Sequence, residues 1–375
     1  MDLPWPIIAA DTHVAEPPDL WQRHLPDTLA HLGPRVEVHQ GAVSLVVEER
    51  LVRRFGPRLA NAAAATVAEQ AMLTELVSLG AREPDARLAD LDRDGVWGEV
   101  MYPNLAFFCI HLMRHAQAQA ACCRIYNDWL AETFLGVSPR FCPVAILPML
   151  EVADACAELE RAAELGFHAA LLPCHVDHRP YNDPAYEPLW ARAADLGLPF
   201  TFHAGTGRSQ TPAHGAGAAV INYVVTVGSG PMETVAYLCA SGILARHPRL
   251  QVVIVESGSG WLAWALHAMD DAYHSHHMFV RPKLEQPPSF YFKRQGALTF
   301  QDDPVGLANL AFSGDACLMW GSDYPHPEGT WPDSQASLKR QLQGVEPATA
   351  RRILVENAAR IYRFPLPPQQ QALHA

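Results

Sequence analysis

The sequence predicts an α/β protein, a single (β/α)8 TIM barrel with an insertion after the first strand. Three observations carry that expectation. Short apolar runs alternate eight times with longer helical patterns, the rhythm of a parallel sheet wrapped by helices. No glycine-rich phosphate loop follows the first run, so a doubly wound sheet loses its main support. Residues with metal-binding chemistry stand where several runs end, and in a barrel all of these ends open on one mouth.

The predicted strands are Ile7–Asp11, Val96–Tyr102, Pro143–Leu147, Ala169–Leu172, Phe200–His203, Val252–Val255, Ala297–Phe300 and Cys317–Gly321. Between them, segments such as QAQAACCRIYNDWLAETFL, DACAELERAAELG, METVAYLCASGILARHP and GWLAWALHAMDDAYHSHH space their apolar residues at helical intervals. Residues 40–83 interrupt the alternation. GAVSLVVEERLVRRFGP reads as a hairpin or irregular insert, and ANAAAATVAEQAMLTELVSLGA as a loop plus helix, both beside the barrel mouth. One barrel therefore spans residues 1–365, and residues 366–375 form a tail, loose or packed on a neighbouring subunit. Pro17, Pro18, Pro103, Pro148, Pro173 and Pro325 follow strand ends and stiffen the loops there.

The chain has 375 residues, with 28 Lys plus Arg against 40 Asp plus Glu, a formal charge of −12. Such a balance disfavours nucleic acid and anionic membrane surfaces as partners, leaving a small-molecule substrate. No apolar run approaches the ~18 residues that cross a bilayer. MDLPWPIIAADTH lacks a basic leader and enters a strand at once, so no signal peptide is expected. The eight cysteines form no C-x-x-C pair and several lie in apolar stretches, which reads as reduced thiols of a cytoplasmic protein and excludes an all-thiol metal site.

The chemistry begins in the first strand. Side chains two apart on a strand share a side, so Asp11 and His13 face one place together. LPFTFHAGTG ends the fifth strand in His203, LQVVIVESGSGW ends the sixth in Glu256, and CLMWGSDYPHPEG ends the eighth in Asp323, with His326 just beyond. Nitrogen and oxygen donors of this kind suit zinc, manganese or iron(II). Each residue has a structural alternative: Asp11 as an N-cap, His13 as a bonded surface imidazole, His203 as a packed histidine, Asp323 as a turn residue. It is their joint placement at strand ends that favours a site.

DTHVAEPPDLW, RLADLDRDGVWGEVMYPN, YNDWLAE, FHAG, VVIVESGSGWLAWAL and WGSDYPHPEGTWP resemble the amidohydrolase-related family, over about residues 7–364. The family includes aminocarboxymuconate-semialdehyde, γ-resorcylate and carboxyvanillate decarboxylases. The resemblance implies a barrel of the metal-dependent hydrolase type with one divalent metal, zinc first and manganese or iron as alternatives. It implies Asp11, His13, His203 and Asp323 as ligands, and a homo-oligomer, a dimer first. Three departures stand out. Asp11 replaces the family's His or Glu. No Lys ends the fourth strand, where HAALLPCH offers His168 and His175, so a bridged metal pair is not expected. Glu256 stands where the decarboxylases carry a His.

The catalytic candidates are thus Asp323, Glu256 and His326, and the expected substrate contacts are Asn104, Trp261 and Tyr324. Glu16 is read either as a neighbour of the metal ligands or as the partner of a loop Arg. Trp261 and Trp264 are read as helix packing, and His274, His276 and His277 as a solvated helix end. Two reactions suit the site. One is non-oxidative decarboxylation of a small aromatic or unsaturated acid, with a protein acid protonating carbon. The other is hydrolysis of an amide, lactone or C–C bond, or hydration, by metal-activated water. A non-catalytic ligand-binding barrel is the third possibility, which four intact ligands disfavour.

Overall fold

A computed structural model of the chain describes residues 3–39, 42–55, 78–207, 215–276 and 278–367. All eight predicted barrel strands form. They are β1 (Ile8–Val14), β5 (Gly98–Pro103), the broken pair β6 (Phe141–Pro143) and β7 (Ala145–Ile146), β8 (Ala170–Pro173), β9 (Phe200–His203), β10 (Val252–Val255), β11 (Gly296–Phe300) and β12 (Leu318–Trp320). Every residue of these strands is buried. That is the expected state of parallel strands whose two faces are both covered, and it explains why the runs are continuously apolar instead of alternating.

The strands pair in parallel as two ladders, β1-β5-β6 and β12-β11-β10-β9-β8-β7. Chain continuity joins them at Val144, whose N–H bonds the Met101 carbonyl at 3.0 Å while that of Ala145 bonds Ala169 at 3.1 Å. On the other side a parallel bridge pairs Thr12 with Tyr324. There the Asp323 N–H donates to the Asp11 carbonyl at 2.9 Å, and the His13 N–H to the Tyr324 carbonyl at 2.6 Å. This seam demands a glycine: a Cβ on Gly321 would sit 2.4 Å from the Asp11 Cβ.

Helices follow the strands, among them α1 (Leu20–His24), α2 (Pro84–Asp94), α3 (Leu105–Cys109), α4 (Ala116–Thr133), α5 (Val152–Leu165), α6 (Glu187–Leu196), α7 (Ala218–Ala240), α8 (Ile243–Arg246) and α9 (Leu262–Ser275). α2 starts with Pro84 in its first turn and stops at Gly95, whose φ of 69° gives the left-handed end that glycine tolerates. The insertion starts earlier than expected. An antiparallel sheet of β2 (Arg35–His39), β3 (Ala42–Val47) and β4 (Arg50–Phe55) stands between β1 and α2. The predicted helix within ANAAAATVAEQAMLTELVSLGA falls largely on residues 56–77, outside the described residues, as does most of the tail.

Candidate metal centre

β1 does not run straight to Asp11 and His13. Its pairing with β5 slips by one residue between Ala9 and Thr12, a bulge that re-aims the chain as it reaches the mouth. Asp11 and His13 follow within the strand, both almost fully buried. β9 delivers His203 as its last residue. Two further residues arrive through backbone in the left-handed region, Glu256 after β10 at φ 52° and Asp323 after β12 at φ 56°. Non-glycine residues held there are uncommon and concentrate where function requires a particular aim. The turn at Glu256 is fastened to neighbouring strands. Its N–H donates to Thr299 Oγ1 at 2.9 Å, and the N–H groups of Ser259 and Gly260 reach the Asp303 carboxylate at 2.5 and 2.8 Å.

These side chains meet. His203 Nε2 lies 3.4 Å from Asp11 Oδ1 and 3.5 Å from Glu256 Oε2, and His13 Nε2 lies 3.4 Å from Asp323 Oδ1 and 3.8 Å from Asp11 Oδ1. Donor atoms of Asp11, His13 and His203 all fall within 4.8 Å of one another, as do those of His13, Glu256, Asp323 and His326. His13 belongs to both groups. Each of the two imidazoles is oriented from behind: His13 Nδ1 contacts the Pro103 carbonyl at 2.8 Å and His203 Nδ1 the Ala204 carbonyl at 3.0 Å. Those contacts place the proton on Nδ1 and leave the Nε2 lone pairs facing inward.

The residues fit a divalent cation. Both carboxylate oxygens of Asp11, Oδ2 of Asp323, and Nε2 of His13 and of His203 are buried with no hydrogen-bond partner. Burying polar atoms unpaired is costly, so a converging set of them calls for a bound cation. The electrostatics agree. Burial, helped by His326, lowers the His13 imidazole to about 4, so it is a neutral lone-pair donor at pH 7. Burial would raise Asp323, but His326 and His13 outweigh it and hold the carboxyl well below its ordinary range. Glu256 goes the other way. Burial first, then the charges of Asp323 and Asp11, push it well above its ordinary value.

His326 stacks on His13 with ring centroids 4.0 Å apart, and its Nδ1 lies 2.8 Å from Asp323 Oδ1. Trp261 is half-buried, and its indole N–H donates to the Ser257 carbonyl at 3.0 Å, beside the Glu256 turn. Asn104 is buried immediately before α3, which carries Phe107. The Phe107 ring, which the sequence did not single out, lies edge-on to His203 at 4.7 Å and to His13 at 6.0 Å, forming an apolar wall.

Three expectations need correction. Tyr324 is no substrate contact: its ring is 3 % exposed and lies 4.8 Å from the Arg87 guanidinium, and its hydroxyl donates to Asp90 Oδ2 at 2.6 Å. Glu16 pairs with no arginine among the described residues. Its carboxylate accepts the N–H groups of Asn104, Leu105 and Ala106 at 2.8–3.3 Å, tying β1's exit to the start of α3, which carries Phe107. Trp264 packs nothing, being 62 % exposed. His168 and His175, on either side of the fourth barrel strand, where no Lys stands, lie apart from the donor cluster, His168 against the Tyr362 carbonyl and His175 between Asp177 and Glu233. His274 and His276 are exposed at the end of α9, as expected, while His277 lies outside the described residues.

Against known proteins, the sequence profile of the amidohydrolase family matches residues 36–364. Decarboxylase orsB of Emericella nidulans is 29% identical over 195 residues, 49% of this chain and 55% of that protein. The chain spans about half the length of the curated relatives it matches. An amidohydrolase of Mycobacterium avium subsp. paratuberculosis K-10 superposes with a TM-score of 0.78 at 21% identity, over 96% of this chain and all of the other. A dihydroxybenzoic acid decarboxylase of Polaromonas, solved with bound manganese and 2-nitroresorcinol, superposes with a TM-score of 0.67 at 18% identity, over 95% and 96% of the two chains. These superpositions establish the barrel fold.

Proposed function

The chain belongs to the amidohydrolase family, and from that premise we propose that it is a metal-dependent non-oxidative decarboxylase of a small aromatic or unsaturated carboxylic acid. One observation carries the reading: buried donors of Asp11, His13, His203 and Asp323 converge at one spot, with the Glu256 carboxyl beside them, its Oε2 3.5 Å from His203 Nε2. The names of the relatives support the same chemistry.

Asp11, His13, His203 and Asp323 hold the cation, and Glu256 stands beside them. When bound, the cation would supply positive charge that offsets the charge of the substrate carboxylate. Glu256 then gives its proton to the carbon that bears the carboxylate. The bond from that carbon to the carboxylate breaks, its electron pair stays with the carbon skeleton, and carbon dioxide leaves. The product carries hydrogen where the carboxylate was. Glu256, now ionised, recovers its proton from solvent, to which its side chain is 15 % exposed. His326 steadies Asp323 in its ionised, ligating form. Phe107 and Tyr102 flank His203 and keep that side of the site dry. Asn104 and Trp261 complete the substrate wall.

The donor set accepts zinc, and the manganese of the Polaromonas protein puts manganese beside it. Metal analysis of the purified protein decides between them. Activity is tested by incubating the metal-loaded protein with a panel of aromatic and unsaturated acids and measuring released carbon dioxide. Incorporation of oxygen from labelled water, without carbon dioxide, replaces this reading with a hydrolase. A homodimer is proposed as well. Val220, Ile221, Tyr223, Val224 and Val225 on the first half of α7 are all at least 45 % exposed, more apolar surface on one helix than a monomer ordinarily leaves bare. A cytoplasmic setting accords with eight unpaired cysteines.

A further inference from the structure

α2 holds a group of residues that the reaction does not use. Arg87 is completely buried. Its guanidinium grips Glu99 of β5 through two bonds, one from Nε and one from Nη2 at 3.0 Å. It also donates to the carbonyl of His13 at 2.6 Å and to Thr12 Oγ1 at 2.9 Å. Its Cζ lies 4.8 Å from the centre of the Tyr324 ring. Tyr324 is the neighbour of Asp323, and its hydroxyl returns to α2 by donating to Asp90.

These contacts close a circuit. The peptide N–H of His13 bonds the Tyr324 carbonyl, and the His13 carbonyl bonds Arg87. Arg87 and Asp90, one turn apart on α2, then hold the Tyr324 ring and hydroxyl. Both sides of the seam between β1 and β12 are thereby fixed to one helix. A ligand projects from each side, and His13 Nε2 stands 3.4 Å from Asp323 Oδ1. Glu99 balances the Arg87 charge locally, so the buried guanidinium adds no net repulsion toward a cation. A buried ion pair is a poor source of stability in itself, and its best-attested use is to impose one arrangement. The planar five-donor fork of arginine suits such a hub where lysine does not.

Building on the metal centre proposed above, we propose that Arg87, Asp90 and Tyr324 are positioning residues that lock the β1–β12 seam and so set the affinity of the His13/Asp323 site for its divalent cation. The test is calorimetric titration of chelator-stripped protein with Mn(II) alone, alongside the melting temperature of the metal-free form. Tyr324→Phe, Asp90→Asn and Arg87→Lys are compared with wild type and with Asp92→Asn, an exposed α2 residue paired to Arg140. Expected are a Mn(II) dissociation constant weakened about tenfold or more in Tyr324→Phe and Arg87→Lys, and one unchanged in Asp92→Asn. A purely structural role lowers the metal-free melting temperature and leaves the dissociation constant as in wild type, and that result overturns the proposal. If Arg87→Lys does not fold, Tyr324→Phe decides, since it keeps the ring and deletes only the hydroxyl. A folded wild-type chain that takes up no Mn(II) overturns the metal centre and the clamp together. Binding by wild type with equal binding by Tyr324→Phe overturns the clamp alone.

Discussion

Replacing Glu256 by Gln keeps the side chain's shape and removes its transferable proton. The backbone tolerates the change, because both residues are strained alike at φ 52° and the N–H still reaches Thr299 Oγ1. Loss of a positioned general acid lowers turnover by about 10²-fold or more, equivalent to about 2.7 kcal/mol of barrier. Metal binding separates a proton donor from a ligand. An ionised carboxylate about 5 Å from a dication contributes about 7 kcal/mol at an effective dielectric of about 20. Reduced to roughly a quarter by solvent and relaxation, that still exceeds tenfold in dissociation constant. A protonated Glu256 contributes almost nothing of the kind. The assay is therefore double: carbon dioxide release under saturating metal, and Mn(II) titration of the stripped protein. Expected are turnover down by at least about 10²-fold and a dissociation constant within about threefold of wild type. Full turnover removes Glu256 from the chemistry. A dissociation constant weakened tenfold or more makes it an ionised ligand and refutes its role as the acid.

Other consequences are open to measurement. His203→Ala removes a donor shared by no other strand, and metal content by mass spectrometry should fall to a small fraction of one ion per chain while circular dichroism keeps its helical signal. For 375 residues, unfolding entropy near 2.1 cal/mol/K per residue gives about 0.8 kcal/mol/K. Metal at about 100 times its dissociation constant stabilises by about 2.7 kcal/mol, so a chelator should lower the melting temperature by about 3 °C. Glu16 is raised by burial from 4.5 to about 7 despite its backbone donors. The folded state thus binds that proton more tightly, and the associated stability, about 3 kcal/mol, is full below about pH 4.5 and lost as pH rises through about 7. His13, lowered to about 4, slopes oppositely, so the difference between wild type and Glu16→Gln in urea unfolding from pH 5 to 8 isolates Glu16; a difference independent of pH contradicts the assignment. Val224→Asp on the exposed face of α7 should shift the sedimenting species from dimer to monomer with the melting temperature little changed, and a monomeric wild type ends the dimer proposal.

The barrel strands were legible because each is a short, uninterrupted apolar run, and such a run has few alternatives once both faces are buried. Phe200–His203 and Val252–Val255 form over the residues the pattern marks. The convergence of the candidate donors was legible for a related reason. A polar residue that closes an apolar strand has only the mouth to face, so Asp11, His13, His203 and Asp323 could be assembled without knowing which strands pair. The roles of Tyr324, Glu16 and Trp264 were not legible. Nothing local distinguishes a tyrosine aimed at substrate from one whose hydroxyl is taken by Asp90, 234 residues away in the chain.

What the sequence determined by itself is the barrel strands, their order along the chain and the donor atoms at their ends, since periodicity and side-chain chemistry are local properties. The tertiary structure alone decided how those donors are aimed. The β1 bulge, the left-handed backbone at Glu256 and Asp323, the cradle of N–H groups around Glu16 and the Arg87 hub all depend on partners from distant segments. Their energies exist only when the barrel closes, because a buried carboxylate or guanidinium gains its hydrogen bonds at the moment it loses water.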